Sequence, residues 1–253
     1  MPFEPVQQEK LSAGVIRQIE GLILRGILRP GERLPSEREL SERLGVSRPS
    51  LRDALGDLAN RGLLISKAGA GVFVADVLGS AFSPALVTLF ATHEEAVFDY
   101  ISFRRDMEGL AAERAARLGT DTDLAVINTI FQKMETASLK PVEEAALDAD
   151  FHLAIIEASH NIVMLHMMRS MYDLLREGVF YNRSVMFKQR TTRDVLLDQH
   201  RAINTALQNR DPQAARAAVA AHLSYVESAL SDQQKADRNE AFAQKRLDHE
   251  NRR

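Results

Sequence analysis

Leu34-Pro35-Ser36-Glu37-Arg38-Glu39-Leu40-Ser41-Glu42-Arg43-Leu44-Gly45-Val46-Ser47-Arg48-Pro49-Ser50-Leu51-Arg52-Asp53-Ala54-Leu55 reads as two helices joined by a tight turn. Ser36 followed three residues later by Glu39 is a capping box, which starts the first helix. Gly45 can take the left-handed conformation that ends it, Ser47 is a natural N-cap for the second, and Pro49 fits a first helical turn. The pair is a helix-turn-helix. Leu51, Ala54, Leu55 and Leu58 share one face of the second helix by the 3.6-residue period, which leaves Arg48, Ser50 and Arg52 pointing elsewhere near its N-terminal end. That end of a recognition helix reaches base edges in the major groove. For helical proteins at large the plainer reading of Arg48 and Arg52, solvated charges on a surface, is the commoner one.

The flanking sequence changes that balance. Gly62 to Val74 holds two short β-prone runs around the glycine-rich turn Lys67-Ala68-Gly69-Ala70-Gly71, a hairpin expected to pack beside the helices as a wing. Upstream, Val15, Ile16, Ile19, Leu22 and Ile23 recur at helical spacing and predict a supporting helix from Ser12, closed by Gly26 and Pro30-Gly31. Met1 to Leu11 reads as an extended arm. A winged helix-turn-helix domain over 1–75 follows.

Leu34-Pro35-Ser36-Glu37-Arg38-Glu39-Leu40, Val46-Ser47-Arg48-Pro49-Ser50-Leu51-Arg52-Asp53-Ala54-Leu55, Gly62-Leu63 and Gly71-Val72-Phe73-Val74 resemble the DNA-binding domain of the GntR family of bacterial transcription regulators. The resemblance implies that Arg38, Arg48 and Arg52 contact an operator, that Ser47 and Ser50 touch phosphates, and that Gly71 lets the wing approach the minor groove. One position departs from the pattern: Ala70 stands where many relatives carry a basic or polar residue, and Lys67 is the cation left to substitute for it.

A length of 253 residues with 45% hydrophobic content allows one large domain or two ordinary ones. No apolar run approaches the ~18 residues of a membrane span, and the N-terminus lacks a signal-peptide core, so a cytoplasmic protein is expected. Without cysteine there is no disulfide and no cysteine-ligated zinc. The net charge of −3 is no handicap for a DNA partner if positive charge is well placed. Residues 1–76 carry 11 Lys and Arg against 10 Asp and Glu, so placement of Arg38, Arg48, Arg52 and Lys67 matters more than overall basicity.

Asp76 to Pro84 reads as a linker, extended to 93 as a connecting segment. From Glu94 to Gln233 the sequence is rich in helix formers, with Pro141 and Pro212 at breaks, and predicts an all-α bundle over 94–232. Helices are expected near 94–118, 121–138, 142–160, 162–187, 191–209 and 211–232. The charged tail, 233–253, either extends the last helix or frays.

Within the bundle Asp148 and His152 sit four apart on one predicted helix and share a face, while His200 and His222 lie on later helices among apolar neighbours. Bundles build metal sites from such facing side chains, and a carboxylate with neutral imidazoles suits zinc, nickel or manganese. On spacing alone, buried histidines with satisfied hydrogen bonds explain the pattern as well. Asp148-x-x-x-His152, His200 in Gln199-His200-Arg201-Ala202-Ile203, and His222 are similar to the metal-binding pattern of the FCD effector domain, which follows the GntR domain in the FadR subfamily. That resemblance implies a divalent metal, zinc first, on Asp148, His152, His200 and His222.

Phe103-Arg104-Arg105-Asp106-Met107-Glu108 resembles the FCD helix whose arginine reaches the ligand cavity, and points to Arg104. A planar guanidinium in a cavity suits a carboxylate; the alternative is a surface arginine paired with Glu108. Asn161 matches a family position, though an Asn at a helix end needs no functional explanation. Tyr181, with Phe180, Asn182 and Arg183, lines the cavity or belongs to core and surface. His93, His160, His166 and His249 receive no role.

The reading as a whole is a ligand-responsive transcription regulator: a homodimer on a palindromic operator, since one recognition helix covers a half-site. A small carboxylate-bearing metabolite is its expected effector, and relief of repression is the subfamily's usual response. Two rivals stand beside it, a metal sensor without an organic effector and a metal-dependent enzyme fused to a DNA-binding domain. An enzyme needs a general base beside the metal, and no second carboxylate stands out near the cluster.

Overall fold

A computed structural model of the chain describes residues 11–76, 84–136, 141–176 and 190–251. The chain divides into two compact units, Met1–Ala81 and Phe82–Arg253.

In the first unit α1 (Leu11–Leu24) is amphipathic because Val15, Ile19 and Ile23 recur every four residues and are all buried. They pack against Leu51, Leu55 and Leu58 of α3 (Arg48–Asn60) in one core with Leu34, Leu64 and Val74. Burying each such aliphatic side chain is worth about 1.5–3 kcal/mol, and this shared core holds α3 at a fixed angle. Between them lies α2 (Glu37–Leu44), capped by Ser36, whose hydroxyl accepts the Glu39 N–H at 3.3 Å. It ends on Gly45 at φ 65°, a left-handed position that costs a side-chain-bearing residue strain, and Val46 then turns the chain into Ser47. Ser47 caps α3 by accepting the Ser50 N–H at 3.3 Å.

The antiparallel strands β1 (Leu64–Lys67) and β2 (Gly71–Val74) form the wing, in the register Leu64 opposite Val74 and Lys67 opposite Gly71. The segment before α2 adds a third edge: Gly31 and Leu34 donate to the carbonyls of Val74 and Val72, and Val74 donates to Glu32.

The second unit is all-helical: α4 (Pro84–Thr92), α5 (Glu94–Leu118), α6 (Asp121–Thr136), α7 (Pro141–Ala158), α8 (Ile162–Arg176), α9 (Arg190–Gln208) and α10 (Pro212–Glu250). The central α5 packs most extensively on α10. Its Ala111, Ala112, Ala115 and Ala116 are buried, as are Ala215 and Val219 of α10, and side chains this small let two helix backbones approach closely. Phe131, Phe151, Ile155, Ile203 and Leu207 from α6, α7 and α9 complete the core.

One expectation about elements changes and another is decided. The connecting segment expected over 76–93 contains a helix, α4, with Pro84 in its first turn where the missing N–H costs nothing. The charged tail takes the first of its two expected forms and extends the last helix, α10, which runs 39 residues to Glu250. The helix expected to reach 187 is described to Arg176, and the remainder lies outside the described residues, as does most of the expected N-terminal arm. Among the described residues no helix is long and apolar enough to cross a membrane.

Candidate functional site

Two sets of side chains carry chemistry, one in each unit. In the first unit Arg38, Ser47, Arg48 and Arg52 are exposed and Ser50 is half-buried, because Leu51, Ala54, Leu55 and Leu58 take the opposite side of α3 into the core. The hydroxyls of Ser47 and Ser50 lie 2.9 Å apart at the N-terminus of α3, the end at which the helix dipole favours a phosphate. Arg52 Nε donates to Glu37 Oε2 at 2.8 Å across the turn, an exposed pair. Lys67 and Gly71 face each other at the turn end of the hairpin, and the Lys67 ammonium lies 4.8 Å from the Phe73 ring centroid.

In the second unit Asp148 and His152 from α7, His200 from α9 and His222 from α10 converge. All four are buried, and one ligand atom from each falls within 4.8 Å of the others. His200 Nε2 lies 3.0 Å from Asp148 Oδ1 and 3.3 Å from His152 Nε2; His152 Nε2 is 3.8 Å from the same carboxylate oxygen. The His222 ring stacks 5.1 Å from that of His152, and its Nδ1 is 3.0 Å from Gln199 Oε1, which fixes the ring orientation. Phe151 stands edge-on to His152 and His200 as an apolar wall.

Behind His152 lies a second buried layer. Glu108 Oε2 touches His152 Nδ1 at 2.7 Å, though the ring N–H points off the line of a good hydrogen bond. Glu108 Oε1 accepts from Arg104 Nε at 2.5 Å and from the Tyr172 hydroxyl at 2.6 Å. The Tyr100 and Tyr172 rings lie 5.8 and 5.3 Å from the Arg104 guanidinium carbon. Burial opposes charge on Glu108, yet Arg104 and His152 outweigh it and hold the carboxyl well below the usual range. Burial pushes His152 down against the pull of Glu108, and burial with His200 and His152 beside it pushes His222 well down. These imidazoles are therefore neutral at pH 7, the form that ligates a metal.

The donor set fits a first-row divalent ion. Metal–ligand distances of about 2.0–2.2 Å put neighbouring ligand atoms roughly 3 Å apart, close to the 3.0 and 3.3 Å that separate His200 Nε2 from Asp148 Oδ1 and His152 Nε2.

The remaining expected residues sit as follows. Arg104 is 1% exposed, so the surface-arginine alternative is wrong as to place, although its partner is indeed Glu108. Asn161 is half-buried and caps α8, its Oδ1 accepting the Met164 N–H at 3.1 Å. Tyr181 and its neighbours Phe180, Asn182 and Arg183 lie outside the described residues. His160 is exposed and pairs with Asp123 at 3.0 Å, away from the cluster. Sequence reasoning missed a second carboxylate beside the cluster, Glu108, along with Tyr172 and Gln199. Glu108 has a signal, its i+4 spacing from Arg104, and Gln199 adjoins His200; nothing in the sequence links Tyr172 to either.

Residues 11–74 match the family described as "Bacterial regulatory proteins, gntR family" and residues 99–225 match the FCD domain. The "Glc operon transcriptional activator" of Escherichia coli (strain K12) is 36% identical over 223 residues, covering 86% of this chain and 88% of that protein. The "HTH-type transcriptional regulator LutR" of Bacillus subtilis (strain 168) is 31% identical over 211 residues, covering 83% of this chain and 96% of that one. Among solved structures, a GntR protein of Streptococcus agalactiae superposes with a TM-score of 0.53 at 25% identity, covering 86% of this chain and 99% of the other. A winged helix-turn-helix joined to a helical domain with a buried polar cluster defines a two-part, DNA-binding transcription regulator. The chain belongs to the GntR family, and its FCD domain fits the FadR-like subfamily.

Proposed function

We propose that this regulator binds a palindromic operator as a homodimer in the cytoplasm and holds a divalent metal on Asp148, His152, His200 and His222. A small carboxylate-bearing metabolite bound in the same domain releases it from DNA. The observation that carries this reading is the convergence of four buried, metal-competent side chains from three helices. Zinc is the proposed ion, with nickel and manganese compatible with the same donors. When bound, the metal supplies a Lewis-acidic centre that can accept a carboxylate oxygen. The chain's own groups orient the rest: Gln199 holds His222, Glu108 backs His152, and Arg104 offers a guanidinium once its pairing with Glu108 is shared. Asn161 and Tyr181 are the other proposed effector contacts. On DNA, Arg38, Arg48 and Arg52 take base edges and phosphates, Ser47 and Ser50 take phosphates, and Lys67 and Gly71 bring in the wing. Repression is the proposed sign; the Glc-operon relative is named an activator, so reporter transcription with and without effector is the direct check. No catalytic role is proposed, because Glu108 meets His152 on the ring nitrogen turned away from Asp148.

The test is native mass spectrometry with elemental analysis on protein purified without chelator or affinity metal. One ion per chain is expected, lost in His152→Ala/His200→Ala while the winged domain stays folded and binds DNA. A metal-free wild-type protein, or stoichiometric metal retained in the double variant, overturns the site. A second reading, a metal-responsive regulator with no organic effector, draws support from Arg104, whose charge Glu108 already compensates. Operator release by chelator alone favours that reading; release by an added carboxylate with metal retained favours the first.

A further inference from the structure

The wing has two faces, and their contents differ sharply. Leu64, Val74 and Leu34 are buried beneath it. On the outer face the register pairs Ile65 with Phe73 and Lys67 with Gly71, while Arg33 bridges Phe73 from the third edge and so projects to the same side. Arg33 and Lys67 are exposed, Ile65 is exposed, and among the described residues none of the strand residues on this face is acidic. The Arg33 guanidinium lies over Gly71: a Cβ there would stand 3.1 Å from Arg33 Nε and 3.5 Å from its Nη2. Gly71 has φ 108°, a conformation that keeps a side chain out of that space. The hairpin tip itself offers only Ala68, Gly69 and Ala70.

We propose that Arg33, outside the hairpin in sequence, is the wing's DNA-contacting arginine, reaching across Gly71 to the minor-groove strip beside the major groove read by α3. A guanidinium there meets phosphate oxygens and the acceptor atoms on the groove floor, whose negative potential is strongest where A·T-rich sequence narrows it. Lys67, cross-strand from Gly71 with its ammonium over the Phe73 ring, is the second cation on this face. The assignment rests on DNA binding through the winged domain.

The test uses the full-length chain and a short duplex that the wild-type protein recovers from a randomised library, with affinity measured by fluorescence anisotropy across a salt series. Arg33→Ala is expected to weaken binding about 10-fold and to lower the salt slope by about one per half-site, with an unchanged melting curve. Arg33→Glu should weaken it further. If Arg33→Lys restores the slope and flanking A·T-to-G·C changes act equally on wild type and Arg33→Ala, the contact is to phosphate. If those flanking changes weaken the wild type but not Arg33→Ala, it reads the groove floor. Wild-type affinity and slope in Arg33→Ala overturn the proposal, as does a loss of affinity with an unchanged slope. Wild-type protein that recovers no duplex overturns the DNA-binding reading on which it stands.

Discussion

Glu108 is the residue on which the buried chemistry of the helical unit turns. It is 2% exposed, and it meets an arginine, a tyrosine and a histidine. Removing one member of a buried ion pair strands the other charge, at a cost of about 3–5 kcal/mol, whereas replacing both by apolar residues of similar volume is often near neutral. Glu108→Ala should therefore lower the stability of the chain by about 3–5 kcal/mol in urea unfolding, and Arg104→Met/Glu108→Leu should recover most of that loss. An equal loss in the double variant would mean that Glu108 acts through packing alone. At this scale the sequence made Asp148, His152, His200 and His222 legible as a set, two by their i+4 spacing and all four by family resemblance. It did not place Glu108 beside them, since helix periodicity assigns a residue to a face but does not say which distant helix that face meets.

Among elements, the start of α6 shows how a short motif sets pH dependence. Thr120 and Asp123 form a reciprocal cap: the Asp123 N–H donates to the Thr120 hydroxyl oxygen, while the Thr120 hydroxyl and N–H donate to Asp123 Oδ2 at 2.6 and 2.8 Å. Burial raises the Asp123 carboxyl, but the Thr120 bonds and His160 beside it more than offset this and leave it below the usual value. A carboxylate depressed in the folded state stabilises above its unfolded pKa and loses that contribution as pH falls through the folded one. Asp123→Asn is thus expected to cost about 1 kcal/mol at neutral pH, with the gap to wild type closing below about pH 4, as followed by thermal unfolding. A constant gap across the acid range would exclude this origin. Helices with an apolar face and capped ends, such as α2, α3 and α6, were readable from sequence for the same reason that they are stable. The exceptions are informative. Residues 233–250 bury almost nothing, so no periodic apolar face marks them, and only their Ala, Glu, Lys, Arg and Gln content favours a helix. α4 was masked by Pro84, which reads as a break in sequence and serves as a first-turn residue in the structure.

For the whole molecule, a net charge of −3 means that non-specific attraction to DNA is weak and that binding depends on where its arginines stand. A dimer on a two-fold operator joins two such modest contacts, and linking them multiplies affinity without new chemistry. Deleting one half-site from the duplex should weaken binding about 100-fold while saturation falls from two winged domains per duplex to one; equal affinity for both duplexes would refute the dimeric reading. Composition has another consequence at this scale. The chain contains four tyrosines and no tryptophan, and two of the four, Tyr100 and Tyr172, clasp Arg104, with the Tyr172 hydroxyl bonded to Glu108. Ultraviolet emission from this protein is accordingly tyrosine emission, half of its emitters stand around one buried guanidinium, and no indole is present to drain their excitation. The helical domain carries its own optical reporter, and an occupant arriving at Arg104 would be visible without a dye.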